Sequence, residues 1–129
     1  MKKGFTLVEM LIVMVLLAAL LAFSIDSMKK TPNVTYKNSM KSDIINASLN
    51  EQNIYDNFYE YESVDLFSVS GTGSLGGKYS LSPFNSMEIE TINCSSGTGF
   101  FITVVNEKIK NFSMTLNSCN QSKIQEVTL

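Results

Sequence analysis

The chain has 129 residues and a formal charge of −2, from ten basic and twelve acidic side chains. All the bases are lysine, and a mildly acidic chain without arginine is a poor general binder of nucleic acid, which requires clustered positive charge. The length allows one domain, and the absence of histidine, with two cysteines far apart in sequence, argues against zinc sites and histidine-based catalysis.

The first element is an apolar run. Lys2, Lys3 and Gly4 precede Phe5–Ile25, about 21 residues that are almost wholly apolar. About 20 helical residues span the hydrocarbon core of a bilayer, so the run predicts a transmembrane helix. Lys2 and Lys3 place its N-terminus in the cytoplasm. Glu9 interrupts it, and a carboxylate inside such a run costs roughly 2.5–3.5 kcal/mol at the helix centre and usually marks function. A secretory signal peptide, cut near Ala22-Phe23-Ser24, and an ordinary single-pass anchor are alternatives. The first has a shorter apolar stretch, and the second needs neither Gly4 nor Glu9.

The residues Lys2-Lys3-Gly4-Phe5-Thr6-Leu7-Val8-Glu9 resemble the processing site of type IV prepilins and type II secretion pseudopilins. The resemblance covers about the first 25 residues. It implies cleavage between Gly4 and Phe5 by a prepilin peptidase, N-methylation of Phe5, and a role for Glu9 in assembly. Residues 1–4 are then a leader peptide, 5–25 a transmembrane and later filament-core helix, and 26–129 a periplasmic or extracellular globular domain. Where many members of the family carry a helix-breaking glycine and proline, this chain has Ala18 and Asp26.

Elementary electrostatics supports a role for Glu9. Cleavage creates a positive amine at Phe5, one helical turn away. At about 4 Å and an effective dielectric near 20, opposite charges attract by roughly 4 kcal/mol before desolvation. The partner is its own amine or that of a neighbouring subunit. The alternative is a carboxyl that stays protonated or reaches the headgroups.

Beyond the apolar run, Tyr36, Met40, Ile44, Ala47, Ile54, Tyr55, Phe58 and Tyr61 fall within a sector of about 120° on a helix, with Glu51 the polar exception. Ile45, Leu49 and Tyr59 lie off that face as a second edge. One helix is therefore expected from about Phe5 to Tyr61, kinked or opened near Met28–Pro32 because proline removes a backbone donor.

After about Glu62 the pattern becomes that of strands. Gly71-Thr72-Gly73-Ser74 and Gly76-Gly77 predict a flexible loop, and Pro83 and Asn85 another. Met87–Thr91 alternates with Glu88 and Glu90 outward. Phe100–Val105 is the strongest strand, and Phe112, Met114 and Leu116 alternate with polar residues. A hairpin is expected across Asn106–Lys110, and an edge strand at Ile124–Thr128. The fold class is α+β, with the long helix packed on three or four antiparallel strands, an architecture similar to the type IV pilin fold.

Cys94 and Cys119 fall on the side of the membrane where disulfides persist, and a disulfide between them is expected, with two buried free thiols as the alternative. Asp56, Glu60, Glu62 and Asp65 cluster at the helix end and are read as a solvated acidic surface. Five Asn-x-Ser/Thr triplets, at Asn33, Asn46, Asn93, Asn111 and Asn120, arise readily in a chain rich in Asn and Ser, and no glycans are assigned. No phosphate loop, nucleotide fingerprint or nucleophile elbow is present, so a non-enzymatic protein without cofactors or metals is expected.

The reading that results is a structural subunit of a type IV pilus. It starts as an inner-membrane precursor and is polymerised by an assembly platform into a helical homo-oligomeric filament at the cell surface. The alternatives are a pseudopilin forming a periplasmic filament and a minor or competence pilin that binds DNA or a surface, whose expected feature is a basic exposed patch, for which Lys108, Lys110 and Lys123 are few. A simple anchored periplasmic domain is a further one.

Overall fold

The computed structural model describes residues 4–120 and 123–129, apart from the side chains of 23–32. Two compact units divide the chain, Met1–Val34 and Thr35–Leu129. Helix α1, Leu7–Phe58, has 52 residues. Seven strands follow: β1 (Val64–Phe67), β2 (Gly71–Thr72), β3 (Lys78–Tyr79), β4 (Asn85–Cys94), β5 (Gly97–Asn106), β6 (Phe112–Asn117) and β7 (Ile124–Thr128). α1 continues through Met28–Pro32, the place of the expected kink or opening, and the leader lysines Lys2 and Lys3 lie outside the described residues.

In the first unit every described side chain from Gly4 to Ala22 is exposed, Phe5 and Leu7 by 74% and 81%. A stretch apolar all round has no polar side to give to water, so it requires cover from lipid or from other chains. Among the described residues no helix is long and apolar enough to cross a membrane. The part of the run described with side chains ends at Ala22.

In the second unit the helix buries one stripe. Met40, Ile44, Ala47, Glu51 and Ile54, at spacings of three and four, are all buried. The stripe stops short of the expected Phe58, which is 54% exposed. The reason lies in the backbone: Tyr59 takes a positive φ of 58° and its N–H bonds to the Tyr55 carbonyl at 2.7 Å, which ends the helix. Tyr61 therefore leaves the helix and returns to the core, stacked on Tyr55 at 4.6 Å and edge-on to Phe100 at 5.1 Å. Ile45, Leu49 and Tyr59 are exposed.

The main sheet is antiparallel with five strands in the order β1-β4-β5-β6-β7, one or two more than expected. The additional strand is β1, only four residues long and set against the first half of β4, with Val64 opposite Ile89 and Leu66 opposite Met87. On the helix-facing side the rows are continuous. Ile89, Ile102 and Leu116 are in register, as are Met87, Val104 and Met114. With Met40, Ile44, Ala47 and Ile54 they form one core, while Glu88 and Glu90 point to solvent as the alternation requires.

Two polar devices lock this packing. Asp43, on the core side of α1, accepts bonds from the Ser82 N–H at 2.9 Å, the Ser82 hydroxyl at 2.8 Å and the Asn85 amide at 2.6 Å. Asn85 in turn accepts from the Asn106 amide at 2.6 Å. Asn85, expected in a loop, is thus a fully buried strand residue. At the far edge, Lys37 and Lys41 pair with Glu126 of β7 at 3.0 and 3.5 Å.

Cys94 and Cys119 are joined in a disulfide with their Cα atoms 5.4 Å apart. The bridge crosses β5 at Gly99, where a Cβ would stand 2.5 Å from the Cys94 sulfur and 2.6 Å from the Ser118 hydroxyl. The bridge fits because residue 99 has no side chain.

Candidate functional site

The sequence-derived processing and assembly residues, Gly4, Phe5 and Glu9, meet at the start of α1. Thr6 stands just before the helix and Glu9 lies in its first turn. The Glu9 N–H donates to the Thr6 hydroxyl oxygen at 3.3 Å. The Glu9 carboxylate accepts from the Thr6 backbone N–H and from its hydroxyl, both at 3.1 Å. This reciprocal arrangement is a capping box, which satisfies amide groups that a helix N-terminus otherwise leaves without partners. A negative charge there also meets the positive end of the helix dipole. Thr6 is the member of this group that sequence reasoning missed. The signal was local: a threonine three residues before a glutamate, at the head of an apolar run.

Gly4 differs from its neighbours in making no structural demand. A Cβ built on it meets nothing within 4 Å. The fold accepts a larger residue here, so any need for glycine arises from something that binds this segment.

Cys94 and Cys119, the other residues singled out from the sequence, belong to the second unit and staple its sheet. Of the acidic cluster, Asp56, Glu60 and Asp65 are exposed as expected, but Glu62 is buried at 2% exposure. Its carboxylate accepts from the Leu75 N–H at 2.6 Å and faces the Tyr79 hydroxyl at 2.7 Å. The same hydroxyl contacts Glu51, which also accepts from the Glu62 N–H at 3.1 Å. Burial raises the Glu51 carboxyl above its ordinary range, against the lowering effect of its bonds to Tyr79 and the Glu62 amide. Burial, and then the two carboxyls, push the Tyr79 phenol well up. By contrast the exposed Glu126 carboxyl is lowered, first by its hydrogen bond from Lys37.

Of the lysines considered for DNA contact, Lys108 sits with its ammonium 4.5 Å from the centre of the Phe84 ring, while Lys110 and Lys123 are exposed. Among the described residues no group of three or more histidine, cysteine, aspartate or glutamate side chains is placed to hold a metal ion.

The fold is thus an α+β unit preceded by a capped, fully exposed apolar helix start. Residues 1–25 match the family described as the prokaryotic N-terminal methylation motif, the signal of type IV prepilins and pseudopilins. Comparison of the chain with curated proteins and with solved structures gives no match. The motif supports a precursor of the type IV pilin or pseudopilin type.

Proposed function

We propose that this chain is a non-catalytic structural subunit of a type IV pilus filament. The observation that carries the reading is the coincidence of the methylation motif over residues 1–25 with a described helical stretch whose apolar side chains are exposed on every side. Before assembly the run Phe5–Ile25 spans the inner membrane with its N-terminus in the cytoplasm. A prepilin peptidase removes residues 1–4, and N-methylation follows at Phe5. The assembly platform then moves the helix from lipid into a bundle of identical helices. That exchange is nearly neutral in hydrophobic terms, so packing and polar contacts select the assembled state.

Gly4 and Glu9 take complementary parts. Open space around Gly4 supports its recognition by the peptidase rather than a role in the fold. Glu9 already accepts the N–H of Thr6, the residue next to the amine that cleavage would free. It is therefore close to its own Phe5 amine, and in a filament it can exchange that partner for the amine of an adjacent subunit.

The test is mass spectrometry of the mature chain together with imaging of sheared surface filaments. N-methyl-Phe5 at the N-terminus and long filaments of this chain are the expected results. An N-terminus near Ile25 would defeat the reading in favour of ordinary secretion. The pseudopilin reading has in its favour the absence of an early proline, Asp26 standing at that place. It predicts the same processed N-terminus without surface filaments.

A further inference from the structure

The carboxyls of Glu51 and Glu62 close on one hydroxyl. Tyr79 Oη contacts Oε1 of Glu51 and lies 2.7 Å from Oε1 of Glu62. All three residues are buried, at 0%, 2% and 3% exposure for Glu51, Glu62 and Tyr79. A phenol has one proton to donate. If both carboxyls were ionised, Tyr79 would satisfy one of them and turn a lone pair toward the other. A buried charge would then face an acceptor, an arrangement costly in a low dielectric. One additional proton resolves the conflict. With Glu51 protonated, its hydroxyl donates to Tyr79, Tyr79 donates to Glu62, and the remaining oxygens accept the Glu62 and Leu75 amides.

We propose that Glu51, Tyr79 and Glu62 form a proton-dependent clasp that fastens the β2–β3 hairpin to α1 and loosens it as the pH rises. The hairpin is built around the clasp. Its turn is closed by Gly73 N–H to the Gly77 carbonyl at 2.8 Å and Gly76 N–H to the Gly73 carbonyl at 3.1 Å. A Cβ at Gly73 or Gly77 would collide with the Glu62 carboxyl, so the glycines let that carboxyl sit in the mouth of the turn. The further ties between hairpin and helix include Asn50, whose amide donates to the Lys78 carbonyl at 3.1 Å.

The charged surroundings favour the protonated form. From α1 the clasp meets Glu51, with Tyr55 and Asp56 one turn on. From the segment after the helix it meets Tyr61 and Glu62, and from β3 only Tyr79. β1 and β4 present Val64, Met87 and Ile89 on this side, with Asp65 and Glu88 turned to solvent. Lys78 alternates to the exposed face. Among the described residues neither clasp carboxyl takes part in an ion pair, since those formed are Lys37–Glu126 and Lys41–Glu126.

The sign of the pH dependence follows from this. The folded Glu51 carboxyl is raised, first by burial. The native state therefore holds a proton that the unfolded chain gives up. The stabilisation is complete below the ordinary glutamate pKa of about 4.3 and is lost as the pH climbs through the raised folded value.

The test uses the full chain in detergent micelles. Carbon-13 NMR of the side-chain carboxyls should show Glu51 titrating above the ordinary glutamate value of about 4.3. Between the ordinary glutamate pKa of about 4.3 and that midpoint the exchange protection of the Leu75 amide, corrected for intrinsic rate, should fall by up to about tenfold per pH unit, as loss of one linked proton requires, and should level off above the midpoint. Glu51→Gln replaces the protonated acid with an amide that donates to Tyr79 and accepts from the Glu62 N–H. This variant should keep the Leu75 protection constant over the same range. Glu51 titrating at or below the ordinary glutamate value of about 4.3 would overturn the proposal, as would a Gln variant with unchanged pH dependence. If the variant does not fold, the carboxyl titration of the unaltered chain decides alone.

Discussion

Glu9 and Thr6 cap the first turn of α1 reciprocally, the glutamate N–H on the threonine hydroxyl and the threonine N–H on the glutamate carboxylate, at 3.3 and 3.1 Å. The contact separates two jobs that a single carboxylate can perform. Capping needs an acceptor, which Gln provides as well as Glu. Pairing with a freed amine needs the charge. Glu9→Gln should therefore retain the helix start yet block or sharply reduce filament assembly. Glu9→Ala should lose assembly and also about 1 kcal/mol or less of local helix stability. The check is filament yield after shearing, beside amide exchange at residues 7–10 in micelles. Normal filaments from Glu9→Gln would assign the residue to capping alone.

The disulfide closes a loop with a sequence separation of 25. Reduction, or Cys94→Ser with Cys119→Ser, should destabilise the second unit by about 3 kcal/mol in the chain-entropy treatment. Gly99→Ala should strain the same corner by forcing its new methyl against the Cys94 sulfur and the Ser118 hydroxyl. Thermal melts of oxidised and reduced chains measure both effects. Equal melting temperatures in the two redox states would show that the bridge constrains little.

Asp43 is the acceptor on which the start of β4 is hung, with Ser82 and Asn85 both donating to it. Asp43→Ala would leave these groups without their acceptor, at about 1–3 kcal/mol for each buried donor that stays unpaired. The larger part of the loss should come from Asn85, which is fully buried, since Ser82 has a route to solvent. Combining Asp43→Ala with Asn85→Ala should cost less than the sum of the two single changes. Denaturant unfolding of the four variants of that cycle provides the comparison, and strict additivity would mean that the two residues act independently.

The parts of the fold legible in the sequence were those with a strong period. Met40, Ile44, Ala47 and Ile54 announced the buried stripe by spacing alone. The alternation in Met87–Thr91 and Phe112–Leu116 gave both strands and their inward faces. What escaped notice depended on partners distant in the chain. β1 is only four residues long and lies beside the acidic cluster, so local composition hid it. Glu51 stood out as a polar residue on an apolar face, but its partner Tyr79 is 28 residues away. Glu62 looked like one more surface acid, and only the fold shows the hairpin closing over it. At the candidate site Gly4, Phe5 and Glu9 were readable as a motif. Thr6 is equally readable as a cap, standing three residues before Glu9 at the head of the apolar run.

The glycine hairpin has a practical consequence for anyone labelling this protein. Residues 71–77 look like the natural place for an epitope tag or a cysteine for dye attachment, being small, polar and rich in glycine. They are a poor choice, because bulk at Gly73 or Gly77 strikes the Glu62 carboxyl and the helix behind it. The tight turn at Ser95 and Ser96 is the better handle, with both residues exposed beyond the paired ends of β4 and β5. An insertion there leaves the core, the helix start and the hairpin untouched, provided Cys94 keeps its partner.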